Sequence, residues 1–125
     1  MKPRSVVSVV DDDESVRESL PDLLRQFGFA ARAFSSADAF LASESLEETR
    51  CLILDIAMPG KSGPELQREL AGRRQFIPTI FITASADATL RPRLMAEGAV
   101  ECLFKPFSEA ALLEALDTAL QGRQS

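Results

Sequence analysis

The sequence predicts an α/β fold built on a parallel sheet, and three observations carry the prediction. Short apolar runs of strand length alternate with longer stretches of helical apolar spacing, five times over the 125 residues. The short runs are apolar almost throughout, as strands are when helices cover both faces of a parallel sheet. Gly, Pro and capping Ser residues mark the changeovers.

The first strand is the β-branched run Ser5–Val10. Glu14 to Phe27 follows, with Val16, Leu20, Leu23, Leu24 and Phe27 on one helical stripe and Gly28 as its C′ residue. Pro21 falls inside this helix, where it removes a backbone donor and is expected to kink the helix or cost it a hydrogen bond. Phe29–Phe34 reads as the second strand. Ser35 or Ser36 caps a helix to about Ser43, with Asp38 at capping-box spacing from Ser35. Cys51–Leu54 is the third strand, and Ala57–Gly63 is a loop by its Pro59, Gly60 and Gly63. Glu65 to Leu70 is helical and closes at Gly72. Thr79–Thr83 is the fourth strand, Thr89–Glu97 a helix closed by Gly98, and Ala99–Phe104 the fifth strand. Ser108 caps a last helix with the stripe Leu112, Leu113, Leu116 and Leu120, ended by Gly122. One domain, residues 1–125, is expected, with no output domain after the fifth helix.

Composition narrows the function. The net charge of −5 argues against a nucleic-acid surface, which needs a basic footprint. No apolar run nears the roughly 20 residues of a membrane span. Met1–Ser5 lacks the layout of a signal peptide, so a cytoplasmic location is expected. The two cysteines, Cys51 and Cys102, lie in apolar runs and read as buried thiols. A chain without histidine must run any chemistry on carboxylates, Lys, Ser or Thr.

The polar residues at the strand ends are the informative ones. The first strand runs into Asp11, Asp12 and Asp13, the third into Asp55 and the fifth into Lys105, while the fourth ends at Thr83. In a parallel sheet all carboxyl ends share one edge, where ligands bind. An Asp before a helix often only caps it, and a strand-end Lys is often only solvated. Four such residues, each at the end of its own strand, are hard to explain that way. Clustered carboxylates repel and call for a hard divalent cation, and Mg2+ suits an open oxygen site that also accepts phosphate. With Lys105 as a counter-charge to Asp55 or to a phosphoryl oxygen, and Thr83 as a hydroxyl donor, an ionised Asp55 is a plausible nucleophile for phosphoryl transfer.

The segments VVDDDESVRESL, LILDIAMPGKSG, FITA and AVECLFKPF resemble the receiver domain of two-component response regulators, in register from about Ser5 to Leu120. The subgroup they most resemble is FixJ-type. The resemblance implies a flavodoxin-like (βα)5 sandwich with strand order 2-1-3-4-5. It implies Mg2+ held by Asp12 and Asp55 directly, by Asp11 largely through water, and by the main-chain carbonyl of Ala57. Asp55 is then the phosphoacceptor, Thr83 the switch hydroxyl and Lys105 the lysine that pairs with the phosphoryl group, with a cis Lys105–Pro106 bond. Asp13 is left as a helix-start residue. Ala57 and Ser85 would flank the route of attacking water. The implied partners are a sensor histidine kinase or phosphotransfer protein, and an output domain or protein reached through the fourth helix, fifth strand and fifth helix. A homodimer formed on phosphorylation is a further expectation. Such a domain is not a turnover enzyme but catalyses its own aspartyl phosphorylation and dephosphorylation.

Three positions depart from the family pattern. Cys102 stands where an aromatic usually couples the Thr83 shift to the output face, Pro92 lies in the fourth helix, and Pro21 lies in the first, which commonly docks the kinase. A reactive role for an exposed Cys102 would need an accessible electropositive setting. The family order puts a strand between Cys51 and Cys102, roughly 9.5 Å, which exceeds the roughly 7 Å limit for a disulfide. A flavodoxin is disfavoured because the acidic loop after the first strand would repel phosphate. A haloacid-dehalogenase-type hydrolase would leave the loop after Asp55 unexplained. The alternative kept is a receiver-like interaction module that does not depend on phosphorylation.

Overall fold

The computed structural model describes residues 5–85 and 87–121. Gly122, expected to end the last helix, lies outside the described residues. The elements are β1 (Val6–Val10), α1 (Glu14–Gln26), β2 (Ala30–Phe34), α2 (Ala37–Leu41), α3 (Ser45–Glu48), β3 (Thr49–Asp55), α4 (Gly63–Gly72), β4 (Thr79–Thr83), α5 (Leu90–Ala96), β5 (Glu101–Phe104) and α6 (Glu109–Gln121). The five strands form one sheet in the order β2-β1-β3-β4-β5, and every pairing is parallel. The expected architecture and strand order are those observed.

Alternate residues of the central strands feed two cores. Cys51, Ile53, Ile80 and Ile82 meet Leu20 and Leu24 of α1 and Leu112 and Leu116 of α6. Leu52, Leu54 and Phe81 face the other way, against Phe40 of α2, Leu66 and Leu70 of α4 and Leu94 of α5. A strand buried on both faces has no polar side to show, hence the unbroken apolar runs. Cys51 and Cys102 sit in opposite cores as free thiols, in keeping with the absence of a bridge. Cys102 is 2% exposed, as the reading of both cysteines as buried thiols expects, and the lesser option of an exposed, reactive Cys102 is not met.

Local chemistry sets the boundaries. Asp13 caps α1 by accepting from the Ser15 N–H. The helix runs through Pro21, a buried residue, without ending there. The Asp38 box on Ser35 does not form. Ser36 is the cap and accepts from the Ala39 N–H, and α2 stops sooner than expected. The one-turn α3 was not expected, since it lacks an apolar stripe. The fourth predicted helix is therefore α5 and the fifth α6. A Ser62–Glu65 capping box starts α4 at Gly63, inside the expected loop. Pro92 is the third residue of α5, within the first turn, where backbone N–H groups have no helical acceptor to lose. The Ser108 hydroxyl accepts from the Ala111 N–H at the start of α6. The Lys105–Pro106 bond is cis. No helix among the described residues is long and apolar enough to cross a membrane.

Candidate functional site

The strand order reverses between β1 and β3: the chain steps outward to β2, then returns past β1 to lay down the rest. The carboxyl edge at such a switch point is left open by the departing helices. The β1–β3 register sets Val10 opposite Leu54, so the next residues, Asp11 and Asp55, emerge side by side. The chain bends at Asp12. One oxygen each from Asp11, Asp12 and Asp55 lies within 4.8 Å of the others. Asp11 is fully buried, Asp55 is 7% exposed and Asp12 is exposed.

Lys105 follows β5 directly. Its backbone N–H donates to the Thr83 carbonyl at 2.7 Å, and its Nζ donates to Oδ2 of Asp11 at 2.9 Å. The ion pair is thus with Asp11, whereas the sequence offered Asp55 or a phosphoryl oxygen. Thr83, the last residue of β4, is 3% exposed, and its Oγ1 accepts from the Ser85 N–H at 3.0 Å. Ala57 and Ser85 are exposed in the loops beyond β3 and β4. Asp13 turns away as the α1 cap, while its N–H donates to Oδ1 of Asp11 at 2.9 Å.

The electrostatics follow from burial. Desolvation, together with the charge of Asp11, pushes the Asp55 carboxyl up to about 7. Lys105 opposes the shift, and hydrogen bonds with Asp11 and Asp12 add to it. For Lys105, desolvation pulls the ammonium down, but the hydrogen bond and charge of Asp11, with Asp55 and Asp13, more than offset it and the net shift is upward. Three carboxylates share one ammonium, so the site carries surplus negative charge on oxygen donors alone. That donor set, open to solvent at Asp12, fits a hard divalent cation such as Mg2+.

Two residues matter that the sequence reading did not single out. A Cβ on Gly63 would lie 2.4 Å from the Asp55 carbonyl oxygen, so only glycine lets α4 start this close to the acidic edge. Its N–H donates to the Ile56 carbonyl at 3.0 Å. The MPGKSG loop carries two glycines, and nothing in its composition says which one is pressed against backbone. The other is Arg17, whose Nη1 donates to the Asp11 carbonyl at 3.1 Å. It flanks the apolar stripe of α1, one turn before the buried Leu20 and Pro21, and as an arginine reads as a surface charge. A groove of about 640 Å³ lies at the opposite, amino-terminal edge of the sheet, lined by Leu70, Phe76, Ile77 and Val100 among others, and shares no residue with the acidic site.

Comparison with known proteins agrees with this architecture. Residues 7–117 match the model of the response regulator receiver domain. The chain is 43% identical over 117 residues to the response regulator protein TmoT of Ectopseudomonas mendocina, covering 94% of this chain and 53% of that protein. It is 41% identical over 123 residues to the transcriptional regulatory protein FixJ of Azorhizobium caulinodans, covering 94% of this chain and 58% of that protein. The chain thus spans about half the length of the curated relatives it matches. Among solved structures it resembles FixJ-N, at 38% identity and TM-score 0.84 over 97% of this chain and 96% of that one. It also resembles the response regulator StyR, at 48% identity and TM-score 0.86 over 94% of this chain and 60% of that one. Receiver domains are regulatory modules rather than turnover enzymes, and phosphorylation-dependent signalling is the general function of the family. With acidic residues and a lysine meeting at the switch point of a 2-1-3-4-5 sheet, and a family match over most of its length, the chain belongs to the response regulator receiver domains of two-component signalling.

Proposed function

We propose that Asp55 receives the phosphoryl group, and that Asp11, Asp12, Asp55 and the main-chain carbonyl of Ala57 hold Mg2+. The observation that carries this reading is the meeting of three carboxylates within 4.8 Å at the switch point. When bound, Mg2+ supplies charge neutralisation that lets an anionic phosphoryl group approach an acidic edge. The chain's own residues do the rest. An ionised Asp55 oxygen attacks phosphorus in line. The O–P bond forms as the P–N bond of a phosphohistidine breaks, and its electron pair returns to the imidazole nitrogen. Lys105 leaves Asp11 to neutralise one phosphoryl oxygen, and the Thr83 hydroxyl donates to another. Thr83 also holds the Ser85 N–H, so its movement draws the segment after β4 with it. In dephosphorylation a water oxygen attacks phosphorus along a path flanked by Ala57 and Ser85, the Asp55 O–P bond breaks with its electron pair returning to the carboxylate, and inorganic phosphate leaves.

The donor is a sensor histidine kinase or phosphotransfer protein. The output passes through α5, β5 and α6, to an output domain or protein or to a second copy of the chain. Phe104 on β5 and Leu113 on α6 remain exposed there, at 38% and 43%, which supports a docking role. This is a population shift between two states of one domain, residues 1–125, in the cytoplasm and without nucleic-acid contacts of its own. The test is intact-protein mass after incubation with acetyl phosphate, with and without Mg2+, for wild type and Asp55→Asn. An adduct that needs both Mg2+ and Asp55 is expected. A folded chain that gains no adduct even from a cognate kinase favours the phosphorylation-independent module.

A further inference from the structure

The acidic loop poses a geometric problem. Successive side chains on extended backbone point to opposite sides, so the adjacent Asp11 and Asp12 cannot both face Asp55 unless the chain bends between them. It does bend at Asp12, and both carboxylates lie within 4.8 Å of Asp55. Asp11 is held at every polar atom. Its N–H donates to the Phe34 carbonyl at 3.1 Å. Its Oδ1 accepts from Asp13 and its Oδ2 from Lys105. Its carbonyl accepts from the Arg17 guanidinium at 3.1 Å.

Arg17 closes the bend twice. Its backbone N–H donates to the Asp13 carbonyl at 3.1 Å, the first turn of α1, and its side chain reaches back across that turn to Asp11. The half-buried Arg17 guanidinium thus sends its hydrogen bond to the main chain of Asp11 and not to its carboxylate. We propose that Arg17 is a positioning residue for the cation site: it ties the end of β1 to α1 and so holds Asp11 and Asp12 on one side of the chain. This rests on the reading that Asp11, Asp12 and Asp55 hold Mg2+.

The sign of the effect separates the clamp from simple charge. Deleting a cation next to a cation site should tighten Mg2+ binding by Coulomb's law. Deleting a clamp should loosen it, by about tenfold, the lower end of what loss of an outer-shell partner costs a metal site.

The experiment is isothermal titration of the folded chain with MgCl2, without phosphoryl donor, for wild type, Arg17→Met and Arg17→Lys. Melting temperatures are measured in EDTA and in Mg2+. Arg17→Met keeps the apolar stem and removes the donors; it should bind Mg2+ about tenfold more weakly. Its melting temperature should stay near wild type in EDTA and fall behind only in Mg2+. Arg17→Lys, which keeps one donor group, should recover part of the loss. Arg17→Met binding Mg2+ as tightly as wild type, or more tightly, overturns the proposal, as does an equal loss of melting temperature with and without Mg2+. If Arg17→Met does not fold, Arg17→Lys decides: weaker binding supports the clamp, and equal or tighter binding overturns it. A wild-type chain that binds no Mg2+ overturns the metal reading itself, a failure distinct from that of Arg17 alone.

Discussion

Lys105 Nζ lies 2.9 Å from Oδ2 of Asp11, and Asp11 is completely buried. The pair joins β5 to β1 across the whole active edge. Removing the ammonium leaves a buried carboxylate facing a second one at Asp55. Breaking a fully buried pair costs about 3–5 kcal/mol. The Lys105 side chain is 22% exposed, so about 2 kcal/mol is the reasonable expectation here. Lys105→Met should therefore unfold at lower urea in EDTA. Mg2+ should restore more stability to it than to wild type, because the cation no longer competes with the ammonium. Urea titrations by circular dichroism, with and without Mg2+, check both parts; equal Mg2+ gains in the two proteins would sink the competition.

Asp55 sets the pH dependence of the cation-free chain. Its carboxyl is pushed up to about 7 by burial and the charge of Asp11, against about 3.9 for a free Asp. Between these values the folded chain keeps a proton that the unfolded chain releases. Stability in EDTA should thus fall as pH rises from about 4 to about 7 and level off above. Asp55→Asn should flatten that slope. Mg2+ binding must displace the same proton, so Mg2+ affinity should climb between about pH 6 and 8. Unfolding midpoints at pH 5.5 and 7.5 decide the first point, and calorimetry in buffers of different ionisation heat the second.

Gly63→Ala sets local propensity against tertiary contact. Alanine is the better helix former by about 1 kcal/mol, and Gly63 opens α4. The added Cβ would meet the Asp55 carbonyl oxygen at 2.4 Å, and neither backbone can yield cheaply. The steric term should win, with a net loss of about 1–3 kcal/mol and slower phosphorylation as Asp55 is pushed out of place. Gly60→Ala, with no atom near its Cβ but φ of +77°, is the control: it should lose stability without slowing the chemistry.

These residues show what a single chain discloses. Asp11, Asp55, Thr83 and Lys105 could be set on one edge because a parallel sheet sends every strand end the same way. The partner of Lys105 was not legible, since it depends on the β1–β3 and β4–β5 registers and on which carboxylate is buried deeper. Gly63 and Arg17 were hidden because their roles are contacts with main chain, which leave no side-chain pattern. The start of α4 was missed because Gly63 and Pro64, loop residues by composition, occupy the first helical positions behind a Ser62 cap. In β5, Glu101 and Leu103 are half-buried, Cys102 is buried and Phe104 is exposed. Burial of Cys102 was legible from its place in an apolar run, whereas the exposure of Phe104 in the same run was not.

Thr83 offers a separable switch. Its hydroxyl accepts from the Ser85 N–H, and the same segment continues through Ser85 Oγ to the Asp87 N–H at 3.2 Å and Asp87 Oδ1 to the Thr89 N–H at 2.9 Å. The last of these contacts ends at the residue before α5. Thr83→Ala should still accept a phosphoryl group on Asp55 but lose most of the change in hydrogen exchange that phosphorylation brings to α5 and β5. An unchanged exchange response would assign the switch to other residues.

Cys102 settles whether the missing aromatic matters. The thiol packs with Phe81, Leu94 and Ala99, and its pKa is raised by burial first and the Glu101 charge second, with Arg91 opposing. Cys51 is pushed up to about 12 by burial alone. Neither offers a thiolate at neutral pH, so an aromatic disulfide reagent should label the native chain only through unfolding and label both thiols in urea. Rapid native labelling of one thiol would mean that β5 opens readily. Cys102→Phe puts a ring at a position only 2% exposed; it should cost about 1–3 kcal/mol if the ring stays inside. If instead stability holds and the new ring is solvent-exposed, the pocket can expel its occupant. Phosphorylation would then change the ring's exposure, which fluorinated phenylalanine read by NMR would report.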